Sequence, residues 1–274
     1  IPCQPGCIVQ CSNCYNDENG NYLTSGFEYE TIAMFGPNCL ISDLDAIAKM
    51  DRICDDIGVD TIETANAIAM CMEAGKINWS DADAVLNLLN EMAEGTEFGR
   101  LLGQGCEAVG KSLGVERIPV VKHQAMAAYD PRNTKGTGIT YATSPMGADH
   151  TAGLTMGRAF DDSGRTAQAY ASNKLQVAIA FADSMMCIMT FANMVPGVPL
   201  LAEMMAALYG GSSDFSRVAS IGVKTLLTER EFNRRAGMTD ADDRLPDFFY
   251  KERSFATGSK FDIHDMELRT IFDF

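Results

Sequence analysis

Four cysteines fall within the first fourteen residues, Cys3, Cys7, Cys11 and Cys14 of IPCQPGCIVQCSNCY. A thiolate is the side chain best suited to a soft metal centre. The first three recur at four-residue intervals, which on a helix would make one stripe of thiols. Pro5 and Gly6 argue against a helix, because the pair sets a turn, and turns let several thiolates converge on one inorganic centre. Spacing alone leaves three readings open. The cysteines hold an iron–sulfur cluster; they hold zinc, for which only Cys11 and Cys14 have CxxC spacing; or they are unligated or disulfide-bonded.

Further along, FADSMMCIM puts Asp183 and Cys187 four residues apart, on one face of an expected helix inside an apolar run. A buried unpaired carboxylate is costly, so Asp183 calls for a partner or a ligand. CDDIGVD sets Asp55 and Asp60 around a helix stop, where Asp60 can cap the next helix and Asp55 can be a solvated face residue. His150 closes SPMGADH in a loop of small residues, a setting equally open to a capping role and to proton transfer near neutral pH. His123 and His264 have polar or charged neighbours and read as surface residues.

The elements that would position these groups are mostly helices. NDENGNYLTSGFEYE reads as a short hairpin around Asn19-Gly20. SDLDAIAKMDRICDDIG has helical periodicity with Ser42 as its cap and Gly58 as its stop. The next segment runs to Gly75, and SDADAVLNLLNEMAEG runs from Ser80 as cap to Gly95. From Val115 to Asp149 prolines, glycines and threonines take over, so a boundary is expected there, with helical domains over 1–130 and 131–274. A long helix is expected over Ser163 to Thr190 and another over Pro199 to Tyr209. The class is mainly α.

The bulk properties exclude some partners. The 274 residues carry 37 acidic against 22 basic side chains, a formal charge of −15, which disfavours nucleic acid and anionic membrane surfaces. The uncharged run Ser184 to Ala202 contains Asn193, Pro196, Gly197 and Pro199, so a buried helix followed by a turn suits it better than a membrane span. The odd count of nine cysteines and the lack of a signal-peptide pattern at Ile1 point to a reducing cytoplasm, with Cys54, Cys71 and Cys106 as reduced core residues.

Five blocks, CQPGCIVQCSN, EYETIAMFGPNCLISDLDAIAKMDRICDDIGVDTIETANAIA, VKHQAMAAYDPR, GTGITYATSPMGADH, and FADSMMC with REFNRRAGMTDADDRLPDFF, together resemble the aldehyde ferredoxin oxidoreductase family. These are tungsten or molybdenum enzymes with a bis-pterin cofactor and a neighbouring 4Fe-4S cluster. The resemblance implies Cys3, Cys7, Cys11 and Cys187 as cluster ligands. Cys14 is an alternative to Cys3, because the family's first spacing is CxxCxxxC. It implies that Asp55, Gly58, Val59 and Asp60 match the DxxGLD motif that contacts one pterin. Asp183, Met185 and Met186 stand in the second motif, DxxGLC, one residue shorter here and without the glycine. His150 aligns with an active-site histidine, Tyr129 with a tyrosine near substrate, and Glu30 with an acidic residue near the site. His123 and Ala125 stand where relatives often carry glycine and glutamate, which suggests an altered substrate pocket.

The resemblance is to the helical C-terminal part of the family fold, without its N-terminal β-rich domain. That domain or subunit, ferredoxin or a similar carrier, and a small aldehyde are the implied partners, and a homodimer is compatible. A basic docking patch for the carrier is expected near Lys122, Arg132 and Lys135. The implied reaction oxidises aldehydes to carboxylic acids. The alternatives are an iron–sulfur module without pterin, a relative acting on aryl-CoA thioesters, and a zinc-stabilised domain.

Overall fold

A helix buried on every side has to sit in the middle of its domain, and Thr64–Met72 of TIETANAIAMCME form such a stretch. The computed structural model describes residues 1–156, 167–190 and 198–273. It divides into two units, Ile1–Ala128 and Tyr129–Phe274.

The first unit opens with thirteen residues that form neither helix nor strand. It then runs β1 (Cys14–Asn16), β2 (Tyr22–Ser25), α1 (Tyr29–Phe35), α2 (Leu44–Ile57), α3 (Thr61–Glu73), α4 (Ala82–Glu94), α5 (Glu97–Leu102) and α6 (Cys106–Leu113). The hairpin β3 (Val120–Val121) and β4 (Gln124–Ala125) closes it. Thr64 through Met72 of α3 are all buried, and Ile68 and Cys71 have no exposed surface. The expected hairpin is the antiparallel pair β1 and β2, with Cys14 opposite Ser25. The Pro5–Gly6 turn is present, with Gly6 at φ +80 and Cys7 N–H donating to the Gln4 carbonyl.

The helix stops fall at Gly58 and Gly95 as the sequence predicts, both left-handed. The starts shift by one residue. Asp43 and not Ser42 caps α2, accepting from the N–H groups of Asp45 and Ala46, and Asp81 and not Ser80 caps α4. A carboxylate at the cap adds favourable charge at the helix N-terminus, which serine cannot.

The second unit comprises α7 (Lys135–Thr143), α8 (Gln168–Asp183), α9 (Val198–Tyr209), α10 (Phe215–Arg235), α11 (Asp247–Lys251) and α12 (Asp265–Arg269). Helix α10 lies so close on α8 that a Cβ at Gly222 would meet the Val177 carbonyl oxygen at 2.0 Å. The helix expected over Ser163 to Thr190 is corrected in two ways. Residues 163–166 lie outside the described residues, and α8 ends at Asp183. Met185 and Met186 both donate to the Ala182 carbonyl and the Ser184 hydroxyl bonds back to Ala180, so the last carbonyls are satisfied in a turn. Residues 188–190 are helical again. The run from Ser184 therefore begins as a turn and not as a helix, and 191–197 lie outside the described residues. Among the described residues no helix is long and apolar enough to cross a membrane. The fold is mainly α, with two two-stranded hairpins.

Candidate active site

Asp55 and Asp60 flank a tight corner between α2 and α3. The Gly58 N–H donates to the carbonyls of Cys54 and Asp55, and the Val59 N–H donates to Cys54. That pattern needs a left-handed residue, supplied by Gly58 at φ +73, and Val59 turns inward onto the apolar core. Asp60 then caps α3, accepting from the Glu63 N–H at 2.7 Å. The Asp55 and Asp60 side chains both face solvent. Glu30, on α1, accepts from the Ala128 N–H at 3.1 Å.

In the second unit the Tyr129 and His150 rings lie 5.4 Å apart between centroids. The loop carrying His150 is pinned from both sides. The His150 carbonyl accepts from Gly153, and the Asn233 amide donates to the Pro145 carbonyl at 2.7 Å. Arg230 binds the Thr143 carbonyl at 3.2 Å and the buried Asp243 carboxylate at 2.7 Å. Arg230 and Asn233 of REFN therefore hold the loop that carries His150 against α10.

Asp183 is neither buried nor paired with Cys187 on a helix face. It ends α8 at the rim of a cavity of about 210 Å³, and Cys187 lies beyond the turn. Asp149, Glu229 and Gln176 line the same cavity. Though both side chains reach solvent, partial desolvation at the cavity wall and the neighbouring Asp149 carboxylate raise the Asp183 pKa, and partial desolvation and Asp183 raise that of Glu229. Met185 is exposed, while Met186 packs partly against Ile179, Phe181 and Leu201. Sequence reasoning passed over Gln176 and Glu229. Gln176 stands seven residues before Asp183, two helical turns, and that spacing was the available signal.

The thiols form two populations. Cys3, Cys11, Cys14 and Cys187 are exposed and Cys7 is half-buried. Cys39, Cys54, Cys71 and Cys106 are buried, which pushes the thiols of Cys39 and Cys54 up to about 12 and that of Cys71 up to about 11. Such thiols are poor metal ligands. The exposed thiols are the soft donors a cluster takes, and Cys3, Cys7, Cys11 and Cys187 lie outside helices and strands. Among the described residues no three His, Cys, Asp or Glu side chains are already gathered for a metal.

The docking-patch expectation fails at two of its three residues. Arg132 and Lys135 offer no basic patch, because Arg132 is tied to Asp130 and the buried Lys135 pairs with Asp262 at 2.7 Å. His123 sits at the tip of the β3–β4 turn at φ +67, exposed and bonded to Glu107, and the buried Ala125 donates its N–H to the Glu63 carboxylate at 2.8 Å. A positive φ is a backbone that glycine adopts at no steric cost.

The family model described as aldehyde ferredoxin oxidoreductase, domains 2 and 3, matches residues 2–272. The chain belongs to this family. It is 27% identical over 254 residues to the tungsten-containing aldehyde ferredoxin oxidoreductase of Pyrococcus furiosus, covering 84% of this chain and 42% of that protein. It is 26% identical over 255 residues to the enzyme of the same name from Thermococcus kodakarensis, with the same coverage. An aliphatic sulfonate oxidoreductase, WOR-like subunit, of Pyrococcus furiosus is 28% identical over 172 residues, 53% of this chain and 27% of that protein. The chain spans about two fifths of the length of the tungsten-containing relatives it matches. The corner at Asp55 and the turn at Asp183 each lie at the end of a helix.

Proposed function

We propose that this chain is the helical part of a cytoplasmic aldehyde oxidoreductase, carrying residues for a tungsten or molybdenum bis-pterin and a 4Fe-4S cluster. The observation that carries this reading is the family match over nearly the whole chain. The family's β-rich domain would cover the other side of the cofactor, and ferredoxin or a similar carrier would take the electrons. When bound, the metal pterin supplies the two-electron acceptor for aldehyde oxidation, and the cluster supplies one-electron transfer.

The exposed thiolates of Cys3, Cys7, Cys11 and Cys187 would hold the cluster, with Cys14 in reserve. Asp55 with Gly58, Val59 and Asp60 would meet one pterin. Asp183 with Met185 and Met186 would meet the other. His150, held beside Tyr129, would move a proton at the substrate oxygen, and Glu30 would set the local charge. The deciding experiment is elemental analysis of anaerobically purified native protein. Four irons with one tungsten or molybdenum, and loss of the iron in Cys187→Ser, are expected. Iron without either heavier metal would reduce the reading to an electron-transfer module, and zinc alone would overturn it.

A further inference from the structure

The surface at the starts of α2 and α4 is apolar, open and held in a strained shape. The short 3-10 turn Pro37–Cys39 ends on Leu40 at φ +58 and ψ +31, a left-handed backbone that penalises leucine and suits glycine or asparagine. The Leu40 side chain is 61% exposed, so burial does not offset that strain. Ser80 is also left-handed, at φ +67, and its N–H donates to the Cys39 carbonyl at 3.1 Å, which locks the two loops side by side. Two adjoining hollows share Leu40, Ile41 and Ser42. One, of about 420 Å³, is lined by Ile32, Pro37, Leu44 and Ile47; the other, of about 700 Å³, by Trp79 with Asp43, Asp81 and Asp83. Leu44 is 47% exposed and Trp79 40%.

Charge decides what fits there. None of the residues lining either hollow is basic. The first unit carries 19 of the chain's 37 acidic residues but only 7 of its 22 basic ones. Asp43 and Asp81 already cap the two helix starts, so an anion would meet carboxylates there and not free N–H groups. A lysine or arginine finds both an indole face and carboxylates. Helix α2 is 14 residues long, about 20 Å, so this surface lies at its opposite end from the Asp55–Asp60 corner. We infer that it docks a basic segment of a partner protein, whose apolar side chains seat on Leu40 and Leu44 while a lysine or arginine reaches Trp79 and the neighbouring aspartates.

The test titrates three peptides of equal length, lysine–leucine, glutamate–leucine and lysine–serine, against the full 274-residue chain. Trp79 is the only tryptophan, so its emission reports on this surface. Expected is a saturable blue shift with the lysine–leucine peptide, at least about tenfold tighter than with either control and weakened by salt. Leu40→Asn is the decisive variant. Asparagine accepts the left-handed backbone, so the thermal midpoint should hold or rise while binding weakens about tenfold. Should that variant fail to fold, Asp83→Asn, at an exposed position that caps no helix, should weaken binding and its salt dependence together. Binding of none of the three, equal binding of the glutamate–leucine peptide, or binding indifferent to both variants overturns the inference. Self-association of the chain that Leu40→Asn abolishes, without peptide binding, would assign the surface to a second copy and likewise overturn it.

Discussion

Helices α3 and α7 are both buried on every side, yet they are built from opposite materials. α3 reads TIETANAIAMCME and fills its unit with alanine, isoleucine, methionine and cysteine. α7 reads KGTGITYAT and buries Lys135, Thr137, Thr140 and Thr143 together with two glycines. Its hydroxyls are used: Thr140 donates to the Gly153 carbonyl and meets Ser172 at 2.8 Å, and Thr137 accepts from the Thr155 N–H. A largely apolar helix, whose buried polar side chains are Thr64 and Asn66, serves as a scaffold and can tolerate an exposed motif at its corner. A polar central helix fixes its neighbours by direction as well as by volume, as the Gln176 amide held by Thr143 shows.

That contrast can be broken most sharply through chemistry. His150→Ala should keep bound metal and lower turnover by about 100-fold or more, whereas His123→Ala on the exposed turn should leave turnover unchanged; steady-state kinetics on metal-matched samples decides. Next come the cores. Ile68→Ala should cost about 3 kcal/mol through its cavity, read by denaturant unfolding. Thr140→Val should cost about 1–2 kcal/mol, because the shape is kept and only hydrogen bonds are lost. Equal costs would mean that the two centres do not differ in kind.

The smallest effect is in pH. Asp51, buried in the first unit, accepts from the Thr24 hydroxyl at 2.6 Å, and burial raises its pKa despite that bond. A carboxyl with a raised folded pKa favours the folded state while protonated. Its contribution is therefore full below the ordinary aspartate range and is lost as pH rises through the folded value. Asp51→Asn should flatten the fall in thermal midpoint between acid and neutral pH. An unchanged slope would show that Asp51 ionises in the fold without penalty.

Much of this was legible in the chain itself. The apolar period of α2, α3 and α4, the glycine stops at Gly58 and Gly95, the Pro5–Gly6 turn and the hairpin after Cys14 follow from local rules. Such rules act within a few residues and need no partner. The family blocks were equally readable, since motif order survives at about a quarter identity. Tertiary structure decided the rest. Whether Asp43 or Ser42 caps α2 depends on which side chain reaches the first N–H groups. The end of α8 at Asp183 depends on bonds back to Ala180 and Ala182 that no periodicity reveals. The charge on Arg132 and Lys135 was visible, but their neutralisation by Asp130 and Asp262 was not, because Lys135 and Asp262 are 127 residues apart. Gln176 acquires its orientation only from Thr143 and Ser172, since an amide's direction is set by its surroundings and not by its place in the chain.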